Sequence, residues 1–540
     1  MVTTTSRPAA APTASPPPTA PLRAAWWRGL PLFLLLAGAL GLRLLLWNRA
    51  VGFEQGDPLE YVNIAYKMAF GIGIEWWDLR PLLLSLLYVP VLYVAQWWPD
   101  PTGEAMVRAL RLVSVLFGVG IVGLTYLLGR QLAGDIVGLA AGLLVAVNPV
   151  VNRMSVSTFA ELPSTFFIVL CLLLLTRALD AAAGRARWLA LGAGLALGAG
   201  CMIRYQAIFY LPPIGLWVAS VAFARGSGDL TDRLRAVLDR RQWPGALALG
   251  FGAGLGLAVV AQGLIELAAY GQPFHSLLAS FAYNVTSGLA PVEFGEEPAD
   301  WYLRQIPDWL GVMTAGLVVV GLVAAARSPR RSAWALVGLA WLTMFAALCA
   351  LPHKEARFLS QIVPLVALFA AGGLGLVARA FGWSWALRTV SQKPLARRVG
   401  MAVMTVVILA GCAAPMLLSS IMLDLEANVG YVYGIKRAAE LRPGSTLGTI
   451  PWLIARPYAG TRLTLERMDR NVWERRDEVS RTIEQSDFLL FPEYWLSEDP
   501  AIDKLVDARF RSIDGYEDGV VLYQRRDLPR PDESPRKRSR

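Results

Sequence analysis

A short polar stretch near residue 355 separates two long apolar runs and holds several groups that could do chemistry. Residues 348–365 read LCALPHKEARFLSQIVPL and contain His353, Lys354, Glu355 and Arg357. Lys354 and Arg357 are three positions apart, so they would share a face in the first turn of a helix. With His353 they form a cationic cluster at a helix N-terminus, where backbone N–H groups also favour anions. The pattern predicts a phosphate site at the membrane surface, because simple basic anchoring explains neither the histidine nor the glutamate.

An early acidic segment offers complementary groups. It reads GFEQGDPLEYVNIAYKMAFGIGIEWWDLRP and contains Asp57, which is four positions before Tyr61 and would share a helix face with it. Carboxylates near lipid are costly and usually functional, although solvated loop carboxylates are the simpler interpretation. Asp57 is the candidate base, and the candidates for binding or orienting a sugar or acceptor are Glu60, Tyr61, Glu75, Trp76 and Arg80.

Two more charged residues lie at the ends of apolar runs. Glu161 ends the segment VNRMSVSTFAE, and Arg204 interrupts CMIRYQAIFY with almost no loop around it. Glu161 could serve only the dipole of the helix that it begins, and Arg204 could be a snorkelling side chain. The alternative is that both belong to a site, since an arginine there must face water, an anion or a carboxylate.

The elements that must position these residues are membrane helices. The chain has 540 residues, 55% of them hydrophobic and 17% charged, and its mean hydropathy is +0.45. Apolar runs of about 20 residues recur, each long enough to cross a hydrocarbon layer of roughly 30 Å. The sequence therefore predicts an all-α polytopic membrane protein with eleven spans, near residues 30–48, 106–128, 134–152, 162–176, 188–203, 206–224, 245–269, 308–326, 332–351, 358–378 and 400–422.

The run 81–98 decides the topology. If it lies in the outer interface rather than crossing, four arginine-rich loops share the N-terminal side, which the positive-inside rule makes cytoplasmic. These loops are 177–187, 225–241, 327–331 and 379–398. The polar segments that hold the candidate residues then all face outward, and the net charge of +10 reflects topology rather than nucleic-acid binding.

Composition also divides the chain. Residues 1–29 are rich in Pro, Ala and Thr and are predicted to be a disordered tail, followed by the membrane domain at 30–422. Strand-like runs such as SDFLLF and GVVLYQ predict a small extracytoplasmic α/β domain at 423–526, and 527–540 is a basic tail that we expect to be disordered.

These groups together suit the displacement of a phosphate leaving group from a lipid carrier, with a carboxylate as base and cations on the phosphate. The chain has two histidines, so a multi-histidine metal site is excluded, and its four cysteines lack metal-ligand spacing. A divalent cation, Mg²⁺ or Mn²⁺, beside Asp57 and Glu60 stays open, although the ligand set is thin.

The motifs resemble those of the family 22 glycosyltransferases, the α-mannosyltransferases of lipid-linked oligosaccharide and GPI-anchor assembly within the GT-C superfamily. HKEARF resembles their HKE-x-RF signature, and GIGIEWWDLRP, STFAE, MIRYQA and the YGQPF…NVTSGLAPVEFGEEPADWYL loop resemble further family segments in the same order. The first loop is also similar to that of the lipid A aminoarabinose transferases, with Asp57 in the aspartate position. Two departures are Glu297-Pro298-Ala299 in place of the family's His-Pro-Trp and Leu59 in place of a second acidic residue.

The resemblance implies a polyprenyl-phosphate sugar donor, with mannose as the expected sugar, and direct inverting transfer to a glycan, lipid or protein hydroxyl. Asp57 is implied as the base, and the implied ligands of the leaving phosphate are Arg204, His353, Lys354 and Arg357. The implied groups for sugar hydroxyls or for orienting the cations are Glu60, Glu75, Glu161 and Glu355. The expected location is the cell membrane, with the active site on its extracytoplasmic face among membrane lipids.

Three other functions are weighed against this one. A transporter or flippase could use the outer charges as a vestibule, but transporters usually carry internal repeats and midplane polar sites, and neither is evident here. An inactive scaffold for wall polymers or lipid glycans would not need an intact HKEARF. A GT-C transferase that uses another lipid-linked sugar, such as aminoarabinose, or that acts on protein, stays open.

Overall fold

The protein is a body of long apolar helices followed by a small sheet. The computed structural model describes residues 22–53, 56–71, 79–97, 103–225, 229–239, 241–286, 295–388, 394–449, 457–459, 462–468, 476–497 and 500–530. Among these residues, nine helices are long and apolar enough to cross a membrane, and they match nine of the eleven predicted spans. The predicted fold class, a polytopic helical protein with a small C-terminal sheet, is confirmed.

The helices before the large loop at 271–311 are α1 Leu22–Arg49, α2 Asp57–Phe70, α3 Leu83–Ala95, α4 Glu104–Ala133, α5 Asp135–Val147, α6 Pro149–Ser155, α7 Glu161–Ala178, α8 Ala183–Ile203, α9 Leu211–Arg225, α10 Leu230–Leu238 and α11 Trp243–Tyr270. The helices from that loop onward are α12 His275–Phe281, α13 Trp301–Arg304, α14 Ile306–Trp309, α15 Val312–Ala326, α16 Arg331–Ala350, α17 Val363–Arg388, α18 Pro394–Ile421, α19 Val429–Leu441, α20 Arg476–Gln485, α21 Tyr494–Ser497 and α22 Pro500–Arg509. The strands are β1 Val51–Gly52, β2 Glu426–Ala427, β3 Thr446–Thr449, β4 Thr464–Arg467, β5 Phe488–Pro492, β6 Phe510–Gly515 and β7 Val520–Arg525.

One predicted span, 134–152, is broken at Asn148. Helices α5 and α6 meet there at an angle of 62°. Pro149 begins α6, and the residue before a proline is pushed out of the helical conformation, so Asn148 is extended with ψ of 127°. The Asn148 side chain accepts hydrogen bonds from the backbone N–H groups of Val150 and Val151 at 3.1 and 3.2 Å and caps α6. The chain therefore changes direction just before the segment that leads to Glu161.

Two apolar helices are shorter than a membrane span. Helix α15 has 15 residues, because Gly311 with φ of 77° precedes it and separates it from α14 within the predicted span 308–326. Helix α3, in the ambiguous run 81–98, has 13 residues, or about 20 Å at 1.5 Å per residue. That is less than the roughly 30 Å of a hydrocarbon layer, and the interfacial placement of this run stays a prediction.

The C-terminal region forms a five-stranded mixed sheet in the order β4-β3-β5-β7-β6. Strands β3, β4 and β5 are parallel, while β7 pairs antiparallel with both β5 and β6. The SDFLLF and GVVLYQ runs become β5 and β7, as the sequence predicts. The domain boundaries stay a prediction; α1 begins at Leu22, within the segment predicted as a tail, and residues 1–21 and 531–540 lie outside the described residues.

The sheet region packs on the helix that begins with Asp57. Strand β1 pairs parallel with β2, and the Asn428 amide donates to the Phe53 carbonyl oxygen at 2.8 Å. Tyr458 donates to the Gly52 carbonyl oxygen at 3.1 Å. A shared apolar core joins α2 and α3 to α19 and strands β3, β5 and β7. Helix α2 is thus supported by the C-terminal region as well as by the membrane body.

Gly52→Ala is expected to lower the melting temperature in detergent strongly. Gly52 has φ of +80°, and an added Cβ would lie 1.9 Å from the Ala427 carbonyl oxygen, so the β1–β2 pair must separate. Gly519→Ala is the matched control, because Gly519 has φ of +77° but open space around the new Cβ. The control should show only the cost of about 1 kcal/mol for positive φ. Equal losses in both variants would contradict the steric argument.

Candidate functional site

Helix α2 presents two carboxylates in its first turn. Gly56, with φ of 88°, turns the chain into the helix. Pro58 suits the first turn, because a backbone N–H at that position would have no partner in the helix and proline has no N–H. Asp57 and Glu60 are both buried, and acidic groups at this end are favoured by the helix dipole. Their spacing of three places both on the face that Arg80 contacts.

Arg80 clamps these two carboxylates. Its Nη2 lies 2.6 Å from Asp57 Oδ1, and its Nε donates to Glu60 Oε2. Arg80 was predicted to bind or orient a sugar or acceptor, and that role stays a prediction; the structure shows it paired with both carboxylates. Glu75 and Trp76, predicted from the same loop, lie outside the described residues.

Arg204 reaches the same aspartate from the end of α8. The helix ends at Ile203 because Arg204 adopts an extended backbone, with φ of −152° and ψ of 119°. Its guanidinium lies 3.2 Å from Asp57 Oδ2 and 3.2 Å from Glu161 Oε1. Its Nε donates to Gln206 Oε1 at 2.9 Å. Arg204 is 6% exposed, so the snorkelling interpretation does not hold.

Arg357 completes the arrangement from the HKEARF segment. It lies in the 3₁₀ turn Ala356–Gln361, rather than in the first turn of a long α-helix. Its Nη1 is 3.6 Å from Asp57 Oδ2, and its Nε is 3.5 Å from Glu161 Oε1. Its guanidinium carbon also lies 4.6 Å from the centre of the Phe159 ring, a cation–π distance.

We call Asp57, Glu60, Glu161, Arg80, Arg204 and Arg357 the arginine–carboxylate centre. Glu161 is fully buried at the start of α7. Neither of its carboxylate oxygens accepts a well-formed hydrogen bond from the described residues, although two guanidinium groups lie within 3.5 Å. It is therefore more than a partner for the helix dipole, because it also pairs with two arginines.

Charge keeps Asp57 ionised. Burial alone would raise the pKa of Asp57, but the positive charges of Arg80, Arg357 and Arg204 outweigh burial and hold that pKa well below its usual range. The neighbouring Glu60 has its pKa raised, mainly by burial. Asp57 is thus a carboxylate at neutral pH.

The rest of the HKEARF segment flanks the centre. His353 Nε2 lies 2.8 Å from Glu355 Oε1, and Arg357 Nη2 lies 2.5 Å from the same oxygen. Burial would raise the pKa of Glu355, but its hydrogen bond with His353 and the charge of Arg357 lower it. Lys354 is 6% exposed, and its ammonium group donates to the carbonyl oxygens of Glu297 and Leu351 at 2.9 and 2.5 Å.

Tyr61 lies beside the arginine–carboxylate centre rather than in it. Its hydroxyl donates to the Ile203 carbonyl oxygen at 3.3 Å, and its backbone oxygen accepts from Ser85 at 2.9 Å. The first contact joins α2 to the end of α8, and the second joins α2 to α3. Tyr61 therefore helps to hold Asp57 and Arg204 side by side.

Sequence reasoning did not single out Gln206, Phe159, Phe358 and Gln361. Gln206 accepts from both Arg204 and Gln361, the latter at 3.2 Å. The Phe358 ring centre lies 5.2 Å from the guanidinium carbons of both Arg204 and Arg357. Phe358, Phe159 and Gln206 stand inside the quoted segments HKEARF, STFAE and MIRYQA, which is the signal that could have identified them.

The residues present do not fit a divalent cation. Within the part of the chain that the structure describes, no three His, Cys, Asp or Glu side chains form a group that could hold a metal ion. Arginine nitrogens also lie against both carboxylate oxygens of Asp57, the oxygens that Mg²⁺ or Mn²⁺ would need. We therefore derive no step through a metal.

The fold is that of a multi-pass membrane protein. In its centre, buried acids and arginines from four distant segments lie together at helix ends. A model of the Alg9-like mannosyltransferase family matches residues 42–433, well over half of the chain. The chain therefore belongs to that family of glycosyltransferases, and the predicted family 22 and GT-C relationship is confirmed.

A curated relative and two solved structures show how far the likeness extends. Alpha-1,2-mannosyltransferase algn-9 of Caenorhabditis elegans is 24% identical over 348 residues, covering 60% of this chain and 52% of the relative. The chain thus spans about half the length of that relative. ArnT from Cupriavidus metallidurans, solved with undecaprenyl phosphate, has a TM-score of 0.61 at 13% identity, covering 93% of this chain and 98% of ArnT.

The oligosaccharyltransferase AglB from Archaeoglobus fulgidus, solved with an inhibitory peptide and a dolichol-phosphate, is also similar. Its TM-score is 0.59 at 14% identity, covering 94% of this chain and 75% of AglB. At these identities the two structures establish a shared fold, and they do not establish the substrates of this chain.

Proposed function

We propose that the protein is an inverting glycosyltransferase that moves a sugar, with mannose as the first choice, from a polyprenyl-phosphate carrier to an acceptor hydroxyl. The observation that carries the proposal is the meeting of Arg204 and Arg357 at one oxygen of Asp57, at 3.2 and 3.6 Å, from segments far apart in the chain. Family membership supports mannose. The lipid phosphates bound to ArnT and AglB support the carrier class.

The chemistry follows from charge and position. The acceptor oxygen attacks the anomeric carbon while its proton passes to Asp57, and the bond between that carbon and the phosphate oxygen breaks. The phosphodiester of the donor becomes a monoester and gains negative charge as it leaves. Arg204 and Arg357 are placed to stabilise that charge, because preorganised donors in a buried site need no reorganisation during the reaction.

Binding of the donor also prepares the base. Arg204 and Arg357 both face Asp57 Oδ2. A phosphate that draws these guanidinium groups toward itself weakens their hold on Asp57, so the pKa of Asp57 rises toward that of a useful base. Glu161 keeps the arginines in place between the two anions, and Lys354 lies nearby as a further cation.

The proposed location is the extracytoplasmic face of the cell membrane. The support is the positive-inside rule applied to the arginine-rich segments; Arg177, in one of them, lies in the last turn of α7, the helix that Glu161 begins. The acceptor is a hydroxyl on a glycan, a lipid or a protein. A peptide acceptor is kept as one arm of the test because AglB binds a peptide.

The test uses purified protein in lipid nanodiscs with radiolabelled polyprenyl-phosphate mannose and extracted lipid, glycan and peptide acceptors. Transfer of label, with the anomeric configuration inverted in the product, is the expected result. Polyprenyl-phosphate aminoarabinose in a parallel arm tests the donor sugar, and GDP-mannose tests the carrier. Transfer from GDP-mannose alone, or net movement of an intact donor across the membrane without transfer, would overturn the proposal.

Transfer is expected to continue after removal of divalent cations. Arg204 and Arg357 take the place at the leaving phosphate that a metal ion occupies in other transferases, so EDTA should leave the initial rate within about twofold of the untreated enzyme. The measurement is the rate before and after chelation, with Mg²⁺ or Mn²⁺ then restored in excess. A loss of activity that either ion restores would contradict this expectation.

A further inference from the structure

A second buried carboxylate lies in the last turn of α11, outside the arginine–carboxylate centre. Glu266 is fully buried and is the one charged residue in the long apolar helix Trp243–Tyr270. An ionisable group in such a helix is costly and is usually retained for a function. Nothing in the proposed displacement uses it directly.

Glu266 joins three segments through hydroxyl and amide groups. Its Oε1 accepts from the Tyr205 hydroxyl at 2.8 Å and from the Ser276 hydroxyl at 2.5 Å. Its Oε2 accepts from the backbone N–H of Ser276 at 2.9 Å. Gln262, one turn earlier, donates to the Tyr205 hydroxyl at 3.1 Å. We call these four residues the Glu266 network.

The network reaches the centre through the chain itself. Tyr205 stands between Arg204, which faces Asp57 and Glu161, and Gln206, which accepts from Arg204. A six-residue 3₁₀ turn begins at Tyr205, so the direction of the Arg204 side chain depends on how this turn is held. The Tyr205 hydroxyl donates to Glu266 and so holds this turn against α11.

The network also fixes the start of the large loop at 271–311. Ser276 lies in the first turn of α12, and Phe274 just before it has φ of 59°, a conformation that a bulky residue adopts only when its surroundings impose it. Further along the same loop, the Glu297 carbonyl oxygen accepts from Lys354, and the Glu297 N–H donates to the Pro352 carbonyl oxygen at 3.0 Å. The loop is therefore held at Ser276 by the Glu266 network and at Glu297 by Lys354.

We propose that Glu266 is a positioning residue of the transferase site, holding Tyr205 and Ser276 together so that Arg204 points at the donor phosphate. This inference rests on the proposed function. In this role Glu266 touches no substrate, but its loss has a measurable effect on phosphate binding. The loss of one hydrogen bond to this carboxylate should weaken binding of the carrier phosphate by about three- to thirtyfold.

The test compares Tyr205→Phe, Glu266→Gln, Ser276→Ala and the double variant Tyr205→Phe with Glu266→Gln. Undecaprenyl phosphate binding and the kcat and KM for the donor are measured on protein whose folded fraction is known. Tyr205→Phe keeps the ring and its packing, so a raised donor KM with a nearly unchanged melting temperature is the expected result. The double variant should lose little more than the worse single variant, because both changes break the same link.

Tyr126→Phe is the matched control. It removes a hydroxyl that donates to a carboxylate, Asp135, at 3.1 Å, at the junction of α4 and α5 away from the centre. This control should bind carrier and turn over as the wild type does. A purely structural role of Glu266 would instead lower the melting temperature and the active fraction, with an unchanged donor KM in the molecules that remain folded, and would overturn the inference.

Arg204→Met in the same assay distinguishes a failure of the positioning role of Glu266 from a failure of the proposed function. If Arg204→Met loses carrier binding while Tyr205→Phe binds as the wild type does, the positioning role is wrong and the proposed function stands. If Arg204→Met also binds the carrier normally, Arg204 is not a phosphate ligand, and the proposed function and the inference both fall.

Discussion

Asp57→Asn is expected to remove turnover and, at the same time, to tighten binding of polyprenyl phosphate. The loss of a general base should lower kcat by roughly 10²–10⁴-fold. Asp57 Oδ2 lies 3.2 Å from Arg204 and 3.6 Å from Arg357, so the carboxylate competes with the phosphate for the same guanidinium groups. Removal of its charge should strengthen carrier binding on the order of tenfold, the equivalent of about 1.4 kcal/mol.

The opposite signs of these two effects make the test sharp. The measurements are single-turnover transfer from the lipid-linked donor and equilibrium binding of undecaprenyl phosphate to the same preparation. Asp135→Asn is the control, because it removes an exposed aspartate that pairs with Arg130 at 2.9 Å, outside the centre. Loss of both turnover and binding in Asp57→Asn would indicate that Asp57 holds the site together rather than acting as the base.

Arg204→Met should destabilise the protein, and Glu161→Gln in the same chain should restore its stability without restoring its activity. Arg204 is the nearer of two guanidinium groups to the fully buried Glu161. Breaking a buried ion pair on one side leaves an uncompensated charge and costs about 3–5 kcal/mol. Because Arg357 still lies 3.5 Å from Glu161, the loss should fall near the lower end of that range.

Neutralising the stranded carboxylate removes the cause of that loss. The melting temperature of the double variant in detergent should return most of the way to that of the wild type, while donor binding and kcat stay low because the phosphate has lost Arg204. Arg304→Met, which removes an exposed pair with Asp300, is the control and should change the melting temperature little. Recovery of transfer in the double variant would show that Arg204 acts through Glu161 alone.

Several site residues were predictable from the sequence because their types are rare in a membrane body. A charged residue among apolar runs, such as Arg204 or Glu161, attracts attention whatever the fold. Apolar runs of membrane length also predicted the spans, and the strand-like runs SDFLLF and GVVLYQ predicted β5 and β7. The HKEARF segment pointed to the family because its residue types and spacing are specific.

Pairings were not predictable in the same way. Lys354 and Arg357 were expected on one helix face, but the 3₁₀ turn at Ala356–Gln361 sends Arg357 to Asp57 and Glu161, while Lys354 reaches backbone oxygens. The break at Asn148 within the predicted span 134–152 is set by a proline and a side-chain cap that hydropathy does not register. Gln262 and Ser276 drew no attention, because single polar residues are common at helix ends.

The chain by itself determined that this is a membrane protein, which residues carry charge at its helix ends, and to which family its motifs point. These properties depend on composition and local spacing. Only the tertiary structure decided that Asp57 is shared by three arginines, that Glu161 lies buried between two of them, and that Glu266 links the Arg204 turn to the large loop. Such contacts join residues up to 300 positions apart in the chain, and their distances depend on how the helices pack.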